Sequence, residues 1–330
     1  MSAILLIEWD LLTLILILLF FISSSAKKIY HNNTTTKVTP LEGGYFDNGI
    51  GYECFTPDVL NLGVSPAILI ANVAKRFQAM GGTVLEGSPL KGIVISESMG
   101  AALDMGGDDD AKPITTKLVL DCMGNASPIS RQQRYGRKPD GVCAVVGTCA
   151  GGFDKESNLL GDIIYTNTEI QDKGTNGQLQ YFWEAFPVGI GRNGKEPGTS
   201  DVKTTYMFTY MDASADRPSL ATLMDDYWKQ LPIYQPTITD VETDLDVKRV
   251  LFAYFPTYKD SPLQPQWSRL LAVGDASGIQ SPLSFGGFGA LTRHLGRLST
   301  AITEALEDDL LHKSELSEIN AYTPNLSAAW

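Results

Sequence analysis

The sequence predicts an α/β fold with α+β character, to which an antiparallel sheet is added. Three observations predict it. Strand-like and helix-like segments are mixed along the chain without strict alternation. The middle of the chain carries runs of β-branched and aromatic residues, as in Val142 to Cys149 and Thr204 to Tyr210. Near the C-terminus an apolar strand runs into glycines and then into a long amphipathic helix. The 330 residues are 43% apolar and 19% charged, enough to build a buried core in one large domain or two ordinary ones. With 26 basic against 38 acidic side chains the net charge is -12, and an acidic surface of that size repels phosphate backbones, which argues against nucleic acid as a partner. Cys54, Cys122, Cys143 and Cys149 form no C-x-x-C pair, so neither a zinc cluster nor a dense disulfide framework is expected.

The chain begins with an apolar run, Ala3 to Ile22, interrupted by Glu8, Asp10 and two mild positions. Its unbroken part, Leu11 to Ile22, would span about 18 Å as a helix, against roughly 30 Å of hydrocarbon. The whole run reaches that length if the two acids sit at the outer interface. Lys27, Lys28 and Lys37 all follow it, so residues 1–26 read as a single membrane anchor with the body on the cytoplasmic or plastid-stromal side. The alternative is a signal peptide cleaved near Ala26, although no positive charge precedes the run. Residues 27–57 read as a polar linker. In the anchor orientation the sequons at Asn32, Asn33, Asn125 and Asn325 never meet the glycosylation machinery.

Residues 58–141 form the first part of the main domain. Ser65-Pro66 starts a helix, with a capping hydroxyl before a proline at the first helical position. Leu69, Val73, Phe77 and Met80 recur at helical spacing, and Gly81-Gly82 closes the helix. Strands follow at Gly92 to Ser96 and at Thr116 to Leu120, with a Gly- and Asp-rich loop between them. Asp108, Asp109 and Asp110 in that loop lack EF-hand spacing and read as a solvated hairpin tip. Residues 142–264 form the antiparallel, substrate-type part. It includes a helix started by Pro218 and stopped by Pro232, with Leu220, Leu223, Met224, Tyr227, Trp228 and Leu231 on one face. Residues 265–310 hold a strand, Leu270 to Val273, and a helix from about Ala290 marked by Leu291, Leu295, Leu298, Ile302 and Leu306. Residues 311–330 read as a tail.

Gly189-Ile190-Gly191-Arg192-Asn193-Gly194 satisfies G-x-G-x-x-G letter for letter, but the pattern needs a strand before it and a helix after it to bring amides to a pyrophosphate. Pro187 interrupts the approach and Lys195-Glu196-Pro197-Gly198 cannot open a helix, so this is a loop. The stronger signal is Arg269 to Gly289, RLLAVGDASGIQSPLSFGGFG. An apolar strand there delivers Gly274, Asp275 and Ala276 at its C-terminal end, the place where open α/β sheets bind ligands. A carboxylate at that point can accept hydrogen bonds from sugar or ribityl hydroxyls. Pro282 stiffens the loop, while Gly286, Gly287 and Gly289 let a planar ligand approach the backbone. The helix that follows aims its N-terminal amides at the same place.

This order of strand, G-D-A, Pro, G-G-x-G and helix resembles the second flavin-binding motif of the FAD-dependent oxidoreductases, the group of flavoprotein hydroxylases, geranylgeranyl reductases and lycopene cyclases. The resemblance implies a partial FAD-binding Rossmann-like domain. It implies that Asp275 meets the ribityl chain, and that Gly286, Gly287, Gly289 and the following helix meet the isoalloxazine ring of FAD. A second segment, Leu118 to Arg131, is similar to the family's strand ending in A-D-G-x-x-S-x-x-R. Gly124 and Ser127 match, Met123 stands where the family has Asp, and Arg131 falls one residue late. The likeness covers roughly residues 58–310 and looks closest to an uncharacterised plant and algal branch. The family's opening strand, G-x-G-x-x-G turn and helix are not found in the first 57 residues.

The resemblance therefore implies an oxidoreductase homologue of the isoprenoid reductase or cyclase kind, lacking the N-terminal dinucleotide-binding unit. A bound isoprenoid or lipid-like molecule and a membrane met through residues 3–22 are the partners it implies; the oligomeric state is open. Two rivals stand beside it, a non-catalytic membrane-tethered remnant and a flavin-dependent hydroxylase of a soluble aromatic. Phe182, Trp183, Phe186 and Tyr206 to Tyr210 fit either a pocket for an isoprenoid or ordinary sheet packing. Cys143 and Cys149 are six apart on a strand-like run and share a face as small hydrophobes. No catalytic acid or base is named by the sequence.

Overall fold

The computed structural model describes residues 4–6, 38–42, 50–54, 66–106, 112–155, 158, 162–165, 169–188, 200–258, 263–278 and 287–320. Asp108 to Asp110, the Gly189 to Gly194 loop, Pro282, Gly286, the sequons at Asn32, Asn33 and Asn325, and most of the 3–22 run lie outside these residues. Among the described residues no helix is long and apolar enough to cross a membrane. The chain divides into two compact units, one from residues 1–32, 64–138 and 258–330, the other from residues 33–63 and 139–257. The α/β class with an antiparallel sheet is the observed one.

The first unit contains strand β1 (Ile4–Leu6). In the second unit β2 (Val38–Glu42) and β3 (Ile50–Cys54) form an antiparallel pair. The first unit resumes with helix α1 (Pro66–Ala79), where the Ser-Pro signature predicted it; its Val73 and Phe77 pack on the unit's core. Strands β4 (Gly92–Ser96), β5 (Gly100–Asp104) and β6 (Ile114–Thr116) form a small antiparallel sheet. The strand expected over Thr116 to Leu120 is two strands. A bend at Lys117-Leu118 separates β6 from β7 (Val119–Asp121), which belongs to a different sheet. Strand β5 lies in what the sequence presented as loop, because its Gly and Ala residues carry no strand signature.

Strand β7 is followed by the short helix α2 (Pro128–Gln133). Strand β14 (Leu270–Ala272) pairs with β7 in parallel, Leu270 with Val119 and Ala272 with Asp121, while β1 pairs antiparallel on the other side of β7. Helices α5 (Gly287–Glu307) and α6 (Lys313–Asn320) complete this unit. Leu298, Ile302 and Leu306 of α5, with Leu316 and Ile319 of α6, bury Leu118, Leu120 and Leu271. The stretch read as a tail thus contains a helix that contributes to the core. Its position is secured at the start of β14, where the buried Arg269 grips Asp309 through two nitrogens at 3.0 and 3.2 Å and donates to the Glu97 carbonyl at 2.9 Å. The guanidinium holds the Asp309 carboxyl below the usual range.

The second unit is built on a six-stranded antiparallel sheet. Strands β8 (Gly141–Gly151), β9 (Asp162–Tyr165), β10 (Ile170–Asp172), β11 (Gln178–Pro187), β12 (Lys203–Asp212) and β13 (Asp246–Thr257) compose it. The order is β10-β11-β12-β8-β13, and β9 also pairs with β11. Helix α3 (Leu220–Tyr234) lies on one face and the single-turn helix α4 (Val241–Asp244) precedes β13. The Ser219 hydroxyl accepts from the Thr222 amide and caps α3. The helix continues past Pro232 to Tyr234 rather than stopping there. The proline removes one amide only from the last turn, and the packing of Leu231 in the core and the stack of Tyr234 on Trp183, 4.7 Å between centroids, keep that turn helical.

The strand period of two sorts the aromatic residues. Leu179, Tyr181 and Trp183 of β11 face α3, with Ala144 and Val146 of β8 and Met207 and Met211 of β12. Within this layer the Tyr227 hydroxyl is hydrogen-bonded to Thr148 Oγ1 at 2.7 Å and to Thr205 Oγ1 at 2.6 Å, joining helix and two strands. Tyr227→Phe leaves both buried threonines short of a partner. It is expected to cost about 2 kcal/mol, read as a lower denaturant midpoint at unchanged slope.

Candidate functional site

In the first unit the two motifs singled out from the sequence end on adjacent strands. β7 and β14 run parallel, and each enters a 3-10 turn at its C-terminal end: Gly124–Ala126 after β7 and Gly274–Ser277 after β14. The two turns pack against each other. Gly124 and Gly274 have φ of +74° and +64°, the left-handed conformation that an L side chain resists. A Cβ at Gly124 would meet no atom within 4 Å, so backbone conformation and not crowding requires glycine there.

A carboxylate that the motif comparison passed over organises the pair. Asp121, the last residue of β7, is 0% exposed. It accepts from the Ser127 hydroxyl at 2.5 Å and from the Met123 amide at 3.0 Å, and the Ser130 hydroxyl lies 3.2 Å away. The same Ser130 hydroxyl is 2.7 Å from the Ala276 carbonyl, the shorter contact and the one its proton favours. The Asp121 carbonyl accepts from the Val273 amide at 2.9 Å. Asp121 and Ser130 therefore stitch the turn after β7 to the turn after β14. The signal available in the sequence was a lone acid closing the apolar run Leu118-Val119-Leu120, two residues before Met123, where the family pattern places its own Asp.

The other expected site residues separate into committed and free groups. Ser127 is fully buried, and its hydroxyl also accepts from the Ile129 and Ser130 amides at 3.1 Å, capping α2 ahead of Pro128. Ala276 is buried against Leu263 and Ala272. Asp275, by contrast, is exposed, and its carboxylate makes no hydrogen bond or ion pair with any described residue. Arg131 is exposed on α2, and its guanidinium is likewise without such a partner. Helix α5 packs against the Gly274–Ser277 turn and begins at Gly287, three residues earlier than the spacing of its leucines indicates. Gly287 and Gly289 thus belong to its first turn, where their amides are among those an α-helix leaves unsatisfied.

The geometry is a pair of glycine turns at the C-terminal ends of two parallel strands, with the Asp275 carboxylate, unbonded to any described residue, on the turn that packs against a 21-residue helix. No protein-family model matches the sequence, and no curated protein does. Solved structures do match. The halogenase PltM in complex with phloroglucinol and FAD is similar at 16% identity and a TM-score of 0.53, covering 79% of this chain and 50% of that one. CmlS, a flavin-dependent halogenase, matches at 14% identity and 0.54, covering 99% of this chain and 54% of that one. A geranylgeranyl bacteriochlorophyll reductase-like protein from Thermoplasma acidophilum matches at 15% identity and 0.50, covering 83% and 60%. At these identities the likeness shows the fold: the chain has part of the FAD-dependent oxidoreductase fold. It spans about half to two thirds of the length of such structures, 48% to 66%.

Proposed function

We propose that the chain is a FAD-dependent oxidoreductase homologue acting on an isoprenoid or lipid-like substrate, and that the paired turns after β7 and β14 hold the ribityl and ring half of the flavin. One observation carries the proposal: an exposed carboxylate, Asp275, unbonded to any described residue, at the C-terminal end of β14, on a turn whose conformation is set by Gly274 and whose position is tied to the neighbouring strand through Ser130 and Asp121. The residues present fit that half of the cofactor. Asp275 accepts from ribityl hydroxyls, and Gly274, without a side chain, lets a ligand approach the backbone. The first-turn amides of α5, from Gly287 and Gly289, favour negative charge next to the ring. Arg131 supplies a cation to an anionic group on the same side of the sheet ends. When bound, the flavin supplies hydride or electron transfer. This chain's residues orient it and keep its polar edge hydrogen-bonded. Ile4–Leu6 of the apolar run form β1, so the part proposed to hold the protein at a membrane, where such a substrate resides, is residues 7–22.

The test uses the full chain incubated with FAD and then desalted. Retention of about one flavin per chain with a shifted visible spectrum is expected, and FMN, which shares the ribityl and ring half, should compete for it. A folded protein that emerges free of flavin overturns the proposal and favours a non-catalytic homologue.

A further inference from the structure

The face of the six-stranded sheet away from α3 carries Phe182 and Phe186 of β11 and Tyr206, Phe208 and Tyr210 of β12. Phe182 stacks on Phe208 with centroids 4.9 Å apart and on Tyr210 at 5.4 Å, while Phe186 and Tyr206 meet edge to face at 6.4 Å. Cys143 and Val145 of β8 continue the surface, and Leu251, Ala253 and Phe255 of β13 are in register with them. In the centre of this aromatic face stands an acid. Glu184 lies between Phe182 and Phe186 on its strand, directly opposite Tyr206, and is 9% exposed. Its carboxyl makes no hydrogen bond or ion pair with any described residue.

A buried carboxyl without a partner is costly, and cores normally remove such groups or pair them. Among the described residues none pairs with the Glu184 carboxyl, and its neighbours on the same face of β11 are phenylalanines. We infer that the Glu184 carboxyl is the polar anchor of a ligand lying on this face, donating a hydrogen bond to an oxygen acceptor at the end of an otherwise apolar molecule. The rings bind the apolar body by contact, and the acid selects the end that carries oxygen. The inference rests on the proposed function for the isoprenoid-like character of the ligand, and on the geometry of this sheet for the site itself.

Burial pushes the Glu184 carboxyl up to about 7. The titratable groups sharing its face are Tyr206 and Tyr210 on β12, Cys143 and Cys149 on β8, and Arg249, in register with Cys149, on β13. Burial and the Glu184 charge both raise Cys143, Tyr206 and Tyr210, so these stay neutral while Glu184 titrates. Tyr165 and Asp162 on β9 are in register with Trp183 and Ala185, the neighbours of Glu184 on the α3 side of the strand. The neutral acid donates and the carboxylate only accepts. An oxygen-acceptor ligand therefore binds best below pH 7 and loses its anchor as pH rises through that value.

The experiment measures binding of two probes to the full chain by calorimetry: farnesylacetone, an isoprenoid ketone, and farnesene, a hydrocarbon of similar build. At pH 6 the ketone is expected to bind about tenfold more tightly, the worth of one hydrogen bond. At pH 8.5 that preference should vanish. Glu184→Gln, whose amide donates at every pH, should keep the preference and abolish its pH dependence. Glu184→Leu should bind both probes alike at both pH values with the fold intact by circular dichroism. Equal binding of the probes by the wild type at pH 6, a preference unchanged at pH 8.5, or no saturable binding of either probe would overturn the inference. Flavin retention, measured on the same samples, separates this outcome from a failure of the flavin proposal.

Discussion

Asp121→Ala is expected to lower stability by about 3 kcal/mol, and the melting temperature by roughly 6–12 °C, as the largest single effect in the first unit. The side chain is 0% exposed and accepts from the Ser127 hydroxyl and the Met123 amide, with the Ser130 hydroxyl 3.2 Å away. Removing it leaves the Ser127 proton and the Met123 amide buried without their acceptor, and hydrogen bonds to a charged group are worth more than neutral ones. Ser130→Ala should cost about 1 kcal/mol, because the turn after β7 keeps its own bonds and only the tie to the Ala276 carbonyl is lost. The two substitutions share partners, so their effects should not add, and a double-mutant cycle on thermal midpoints reads the coupling. Additive losses would mean that the two turns are held independently.

Asp275→Ala is expected to act in the opposite way. The residue is exposed and unbonded among the described residues, so the melting temperature should stay within the change that about 0.5 kcal/mol produces. Flavin affinity should fall by roughly 10- to 100-fold, the worth of one or two hydrogen bonds to a carboxylate. Asp275→Asn keeps an acceptor without the charge and should lie between the two. A fluorescence titration with FAD reads all three proteins. Unchanged affinity in Asp275→Ala removes this residue from the site whatever the flavin content of the wild type.

The parts of the fold legible in the sequence were those whose local signal agreed with the tertiary result. Gly92 to Ser96, the β-branched run of β8 and the amphipathic stripe of α5 each advertised one period strongly. Strand β13 escaped notice because Asp246, Lys248 and Arg249 open it and Pro256 nearly closes it. Those charges are tolerated because, among the described strands, β13 pairs only with β8 and so lies at the edge. Helix α2 has the same Ser-Pro start as α1, but its six residues are too few to show a helical period. Helix α6 was hidden by its brevity, since two apolar residues, Leu316 and Ile319, are too few to show a period.

At the site the same distinction holds. Gly124 and Gly274 were legible as turn glycines because turn chemistry is local. Ser127 was legible as a motif letter, and only the structure shows that its hydroxyl caps α2 and binds Asp121. Asp121 and Glu184 owe their character to burial and to the strands beside them, which a single sequence does not display. The aromatic residues of β11 and β12 were visible as a group, but the strand period divides them, placing Trp183 in the α3 layer and Phe182, Phe186, Tyr206 and Phe208 around Glu184.

The central claim is that the turns after β7 and β14 form one flavin-facing surface. Hydrogen–deuterium exchange of the full chain with and without FAD tests it most directly. FAD is expected to slow exchange in peptides covering residues 121–131 and 273–278 together, at the same FAD concentration, with the strands of the second unit's sheet less affected. Slowed exchange in only one of the two segments, or in neither while other regions are protected, would contradict it.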